Sequence, residues 1–441
     1  MRRWLTSPAT GFTGPQCCNC DRKPGLLRRL TRVTIEAARD LLRNAPLIDG
    51  HNDLPWELRE AGCPDPAEPA LTSRVSFTQT DLRRMAEGGV GAQFWSVYVP
   101  VRLQGEEAVA TTLEQVDFVR RMVHAYPAVL ELARTAAEVE RINAAGKVAA
   151  LMGAEGGHSI ACSLGVLRVL HGIGVRYLTL THSRNVPWAD SATDEPAVGG
   201  LTAFGRLVVG EMQRLGMLVD LSHTAPATMA AAMEMAEAPV IFSHSSARAL
   251  CDHPRNVPDD VLARLPEVRG VCMVTFVPAF ISQEVREWDL GLLDEMQRQG
   301  LDPDDRQARA GARTAWAAAH PPPHATVAQV ADHIDHVREV AGVAHVGIGG
   351  DFDGTDELPA GLTDVSCYPA LLAELLDRGW SKADCAALTR GNVLRVMRQA
   401  EAAARAISAR RGPCLARIED VDGPADPAGV AGPASPASPV S

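Results

Sequence analysis

Lysine is nearly missing from this chain: Lys23, Lys147 and Lys382 stand against 40 arginines in 441 residues. A lysine that bridges metals therefore has few places to come from. Positive charge is short overall. The net charge of −11 argues against a nucleic-acid backbone as the main partner. The basic residues gather at the start, where residues 1–34 hold seven Arg or Lys and one Asp, so the remainder is more acidic than the whole. No run of 18 apolar residues is present, so no transmembrane helix is expected. The opening "MRRWLTSPATGFTGPQCCNCDRKPG" has basic residues but no apolar h-region and does not read as a secretory signal. A cytoplasmic location is the expectation. Among ten cysteines, Cys17-x-x-Cys20 has metal or redox spacing, but no second pair completes a zinc knuckle beside it. Cys63, Cys162, Cys251, Cys272, Cys367, Cys385 and Cys414 are scattered, as expected of small buried hydrophobes in a reducing compartment.

What the chain does have is apolar residues, 46% of the total, arranged in short runs. Eight read as strands: "LIDGHND" (47–53), "VGAQFWSVYV" (90–99), "VAALMGAEGG" (148–157), "VRYLTLTH" (175–182), "GMLVDLSH" (216–223), "APVIFSH" (238–244), "GVCMVTFVP" (270–278) and "HVGIGGDFDG" (345–354). Continuous apolar runs of this length suit strands buried on both faces. Helix-like stretches lie between them, at 105–125, 199–215, 224–237 and 326–341. Eight βα units predict a (β/α)8 barrel, with a doubly wound sheet as the competing arrangement. Residues 281–325 carry charges and "AHPPPHAT" with no strand, and read as an insertion after the seventh strand that covers the barrel mouth. The expected domains are a basic, disordered arm at 1–34, the barrel at 35–400, and an Ala/Pro-rich disordered tail at 401–441.

Active sites of such barrels lie at the C-terminal ends of the strands. Those ends carry His51 and Asp53, Glu155, His182, His223, His244 and Asp351. Each has a bland reading taken singly, as a loop carboxylate or a residue opening the next helix. Side chains at i and i+2 of a strand share a face, so His51 and Asp53 can reach one point together. The set has the composition of a two-metal hydrolase, whose cations lie about 3.5–4 Å apart and share a carboxylate and a hydroxide. His51 and Asp53 suit one ion, His223 and His244 the other, with Glu155 as the bridge. Lys147, at the start of the third strand, is at the wrong end to replace it. Imidazole and carboxylate ligands suit Zn²⁺, with Mn²⁺ and Co²⁺ left open. Asp351 can carry a proton from the attacking hydroxide to a leaving amine, and His182 can donate to a developing oxyanion. Asp353 points to the other face and reads as structural.

Taken together, "DGHNDLPW", "GAEGGHSI", "YLTLTHSRNVPWADSA", "VDLSHT", "FSHSSARALCDHPRNVPDD" and "GGDFDG" resemble the membrane dipeptidase (renal dipeptidase) family of the amidohydrolase superfamily, across most of residues 45–400. The resemblance implies a barrel, two zinc ions per chain and hydrolysis of dipeptides. It implies His51, Asp53, bridging Glu155, His223 and His244 as metal ligands, His182 at the scissile carbonyl and Asp351 as acid/base. It adds Arg255, in "CDHPRN", as the residue that holds the substrate's terminal carboxylate, a role that suits a guanidinium fork. Members of the family often accept a D-residue on the C-terminal side. No hydrophobic run in the tail suits a lipid anchor, so membrane attachment does not carry over. A homodimer stays open.

Two rival readings remain at this point. The same site can act on another carboxylate-bearing amide, a β-lactam or a lactone. A binding protein that kept the barrel is the third, and it would have no use for Asp351.

Overall fold

The computed structural model describes residues 32–302 and 306–423. Cys17, Cys18, Cys20 and almost all of the expected basic arm lie outside them. The chain enters through a helix at Arg32–Asn44 and then builds nine parallel strands. These are β1 (Leu47–Asn52), β2 (Val90–Ser96), β3 (Leu130–Leu132), β4 (Val148–Glu155), β5 (Val175–Thr179), β6 (Leu218–Asp220), β7 (Val240–Phe242), β8 (Val271–Val274) and β9 (Val346–Ile348). Their order is β2-β1-β9-β8-β7-β6-β5-β4-β3, and a further pairing of β2 with β4 closes the sheet. Eight strands thus form a closed barrel, which excludes the doubly wound sheet. The ninth, β3, pairs only with the start of β4. Its three residues, "LEL", are too few to give a period, which is why sequence patterning passes over it.

Helices cover the outside of the barrel, so every residue of β1, β2 and β4 is buried. The continuous apolar runs follow from that double burial. The strands are shorter than the runs, however. β6, β7 and β9 span three residues each, and the polar residues that close those three runs belong to the turns that follow, whereas His51 and Glu155 lie within β1 and β4. Ile48, Phe94, Leu151, Tyr177, Ile241 and Met273 belong to one buried cluster with Val393, Val396 and Met397 of the helix Asn392–Ser408.

That helix corrects the expected boundary at 400. It runs on to Ser408, buries Ala400 and Ile407, and places Glu401 where its carboxylate accepts the Ala136 amide at 2.8 Å. A short helix, Ile418–Val421, follows, and the Asp422 carboxylate accepts the Phe204 amide. The segment looks featureless as sequence because its buried residues, Ala400 and Ile407, stand among half-buried and exposed alanines, and alanine is also what a disordered tail is rich in. Residues 424–441 lie outside the described part.

Between β8 and the helix Val327–Ala341 the described chain forms a short helix, Pro278–Ile281, and two longer ones, Gln283–Arg298 and Arg306–Ala319. Arg313 on Arg306–Ala319 pairs with Asp289 on Gln283–Arg298 at 3.1 Å and with Glu357, beyond β9. The 281–325 stretch is therefore a helical hairpin tied to the segment that follows the eighth barrel strand.

Candidate metal centre and active site

Glu155 is the last residue of β4, and its two oxygens face different partners. Oε1 lies 3.0 Å from His223 Nε2 and 3.3 Å from His244 Nε2. Oε2 lies 3.5 Å from His51 Nε2, which is itself 3.1 Å from Asp53 Oδ2. His223 and His244 bring their Nε2 atoms within 3.0 Å of each other. One carboxylate thus stands between a His51–Asp53 group and a His223–His244 group.

The turns after the strands aim these side chains. His223 and Asp351 adopt left-handed backbone, at φ 67° and 61°, which non-glycine residues hold only where the surroundings over-determine them. Pairing continues past the end of β1: the Asp351 amide donates to His51 O at 3.3 Å and the Asp53 amide to Phe352 O at 3.0 Å. This brings Asp351 Oδ1 within 4.0 Å of His51 Nε2. Beneath it, the buried Asp49 carboxylate accepts the His51 amide at 3.2 Å, the Gly350 amide at 2.9 Å and the Tyr368 hydroxyl. Asp49 therefore fastens β1 to the turn that carries Asp351.

Hydrogen bonds fix which imidazole nitrogens face the centre. The Ser243 hydroxyl donates to Asp220 Oδ2 at 2.6 Å and lies 2.8 Å from His244 Nδ1. Its single proton is spent on Asp220, so it accepts from His244 Nδ1–H, and Nε2 is left with its lone pair. His51 Nδ1 meets the Tyr177 hydroxyl at 2.7 Å. Tyr177 lies across β4 where only glycine fits, since a Cβ at Gly153 would fall 1.9 Å from its ring. Burial holds the His244 and His223 pKa values well below the usual histidine range, helped by His51 and Arg255 respectively. Both rings are thus neutral; His244 turns a lone pair toward Glu155 Oε1, while His223 Nδ1 has no hydrogen-bond partner. A divalent cation among these three atoms would draw the His244 and His223 Nε2 lone pairs and the carboxylate oxygen to one point. Ligand atoms on a tetrahedral zinc with bonds of about 2.0–2.1 Å sit roughly 3.3 Å apart, which matches the spacings here. His51, Glu155 and His244, and likewise His51, Asp53 and Asp351, offer atoms that lie within 4.8 Å of one another.

His182 stands at the rim, partly exposed, with Nε2 3.9 Å from Glu155 Oε1 and its ring 4.3 Å from that of His223. Burial lowers its pKa, so it is a neutral hydrogen-bond partner. Asp351 has its pKa pushed up to about 7 by burial and by the Asp53 and Glu155 charges, against the pull of His51 and Arg255. Arg255 is buried, yet its guanidinium makes only long bonds, 3.5 Å to Ser245 Oγ and 3.3 Å to His244 O. Its Nε has no hydrogen-bond partner. The Phe280 ring lies beneath it at 5.3 Å. All eight residues singled out from the sequence therefore sit in one place.

Sequence reasoning passed over the supports: Asp49, Tyr177, Asp220 and Ser243, with Tyr98, whose ring lies 5.1 Å from His182. A signal was available for two of them. Asp49 and Asp220 are carboxylates inside otherwise apolar strands, each shortly before a site histidine, and a buried carboxylate requires partners.

Comparison with known proteins gives the family. The family model for membrane dipeptidases, peptidase family M19, matches residues 35–411. Mouse dipeptidase 3 is 43% identical over 371 residues, covering 83% of this chain and 66% of its own length. The crystal structure of a probable dipeptidase from Pseudomonas aeruginosa shares the fold, with a TM-score of 0.74 at 24% identity, over 84% of this chain and 99% of that one. A metallopeptidase from Rhodobacter sphaeroides, solved with a phosphinate mimic of the dipeptide L-Ala-D-Ala, is 26% identical, with a TM-score of 0.65 over 80% of this chain and 99% of that one. With the barrel, the paired histidine groups around Glu155 and the match across residues 35–411, the chain belongs to the membrane dipeptidase family of metallopeptidases.

Proposed function

We propose that this protein is a dipeptidase that holds two zinc ions and hydrolyses dipeptides, L,D-dipeptides among them. The observation that carries the reading is the placement of Glu155 between two histidine groups, with the buried and under-bonded Arg255 beside them. His51 and Asp53 would hold one ion, His223 and His244 the other, and Glu155 both. Bound there, the ions supply Lewis-acid polarisation of the scissile carbonyl and a lowered pKa for the attacking water.

The chain's own residues do the rest. Arg255 grips the substrate's C-terminal carboxylate with a guanidinium fork that otherwise makes only two long hydrogen bonds and leaves Nε without a partner. A substrate anchored by its terminus that close to the reacting bond is short, which favours dipeptides. His182 hydrogen-bonds the carbonyl oxygen as charge grows on it. Asp351 takes a proton from the nucleophile and returns it to the departing amine. The helix Arg306–Ala319 is tied to the segment after β9 by Arg313 and Glu357. The ligand of the Rhodobacter relative supports a D-residue on the C-terminal side of the substrate.

The test is amino-acid release from a panel of L,L- and L,D-dipeptides by zinc-loaded protein. Turnover that stops with a chelator and returns with zinc is expected. No turnover of any dipeptide by fully metallated protein would overturn the reading. It would direct attention to β-lactams, lactones and other carboxylate-bearing amides.

A further inference from the structure

Gln79 lies between β1 and β2, yet it reaches the turn that follows β9. Its backbone amide donates to Asp353 Oδ1 at 2.6 Å. Its side-chain Oε1 accepts the Asp353 amide at 2.7 Å, and its Nε2 donates to Thr355 O at 2.6 Å. Three short bonds from one residue therefore bracket a single position, Gly354.

Gly354 backs directly onto the centre. A Cβ there would fall 2.4 Å from Asp351 Oδ1 and 2.5 Å from Asp53 Oδ2. The turn is also in a disfavoured conformation, since Asp351 and Asp353 are both left-handed, at φ 61° and 66°. Such backbone persists only where something else holds it. Within the turn, the Gly354 amide donates to Asp351 O at 3.2 Å, a longer bond than any of the three from Gln79. Asp353 itself is half-buried and bonded to Gln79 through both its amide and its carboxylate, so it belongs to the clamp and not to the metal-ligating group.

We propose that Gln79 is a positioning residue for Asp351: by clamping residues 353–355 it presses Gly354 behind the Asp351 and Asp53 carboxylates and fixes where Asp351 delivers its proton. This rests on the reading of Asp351 as the proton carrier. Gln79 touches neither Arg255 nor His182, so its loss should leave substrate capture alone. A misplacement of about 1 Å in a reacting group can cost on the order of 10²-fold in rate.

Gln79→Met keeps the length of the side chain and removes both of its hydrogen bonds. In zinc-loaded protein it should lower kcat by about 10–100-fold with KM and zinc content little changed. Asp353→Ala should behave likewise, and Asp353→Asn, which keeps an acceptor for the Gln79 amide, should recover much of the loss. In an Asp351→Asn background, Gln79→Met should cost almost nothing further, because two residues acting through one step are not additive. Full multiplication of the two losses, or a kcat unchanged by Gln79→Met, would overturn the proposal. Hydrogen exchange reads the clamp without activity: amides 352–356 should exchange faster in Gln79→Met while those of β4 do not. Unchanged exchange there rejects the clamp. If the wild type hydrolyses no dipeptide, the dipeptidase reading fails, and the exchange experiment still decides whether Gln79 clamps the turn that carries Asp351.

Discussion

The Tyr177 hydroxyl lies 2.7 Å from Nδ1 of His51. Both residues are fully buried, so the bond is made in a dry environment. It aims the other ring nitrogen, Nε2, at Asp53 and Glu155. A histidine that ligates a metal is oriented in this way by the partner of its second nitrogen, and loss of such a partner weakens metal binding about 10–100-fold. Tyr177→Phe keeps the ring that fills the space above Gly153 and deletes only the hydroxyl. We expect a 10–100-fold weaker zinc affinity at the His51 group, read by competition with a chelator. Unchanged affinity would mean that the two carboxylates orient His51 without help.

Asp351→Asn keeps the size of the side chain and its place 4.0 Å from His51, but an amide does not carry the proton. The expected loss in kcat is on the order of 10²–10⁴-fold, the usual contribution of general acid/base catalysis, with dipeptide affinity nearly unchanged. Single-turnover measurement separates the two. Activity near that of the wild type would remove Asp351 from the mechanism.

Arg255→Lys tests the fork against the charge. Lysine retains the positive charge but presents one ammonium where arginine offers parallel donors. A charge-assisted hydrogen bond contributes about 1.5–3 kcal/mol, so KM should rise roughly 10–100-fold for dipeptides. It should rise much less for dipeptide amides, which lack the carboxylate. Equal effects on both would place Arg255 outside the substrate's anchor.

Much of this site can be read from the chain, and the reason is geometric. A closed barrel puts the residues after every strand on one rim, so the order of motifs, from "DGHND" to "GGDFDG", lists the rim residues in sequence. The positions that stayed hidden act across the fold. Gln79 and Asp353 are 274 residues apart, and no local pattern links them. Ser243 precedes His244 directly, but its role depends on Asp220, which a different strand supplies. The boundary at 400 failed for another reason. Ala400 and Ile407 of the helix Asn392–Ser408 are buried only because the folded barrel is there to receive them, and no period in the alanine-rich stretch around them announces it.

His333, on the helix Val327–Ala341, ties two parts of the rim together. Its Nδ1 accepts the Ala247 amide at 3.1 Å and its Nε2 donates to Ile281 O at 3.0 Å. Ala247 follows the His244 turn, and Ile281 opens the helical hairpin. Protonation would set an N–H against the Ala247 N–H. Burial, opposed by the Ile281 bond, holds the His333 pKa down to about 4, whereas an unfolded histidine titrates near 6.5. Below pH 6.5 the unfolded chain therefore takes up a proton that the native protein refuses until about pH 4. Its contribution is fully present above pH 6.5 and is lost progressively as the pH falls through that window. At the acid end the loss is on the order of 3 kcal/mol. Other buried histidines act in the same direction, among them His158, also held near 4 by burial, so the comparison with His333→Gln isolates this one. Denaturant unfolding at several pH values between 7 and 4.5 should show the variant less stable at pH 7 but with a shallower fall toward acid. Parallel curves would mean that His333 titrates alike in the folded and unfolded chains, and that its two backbone bonds do not resist protonation.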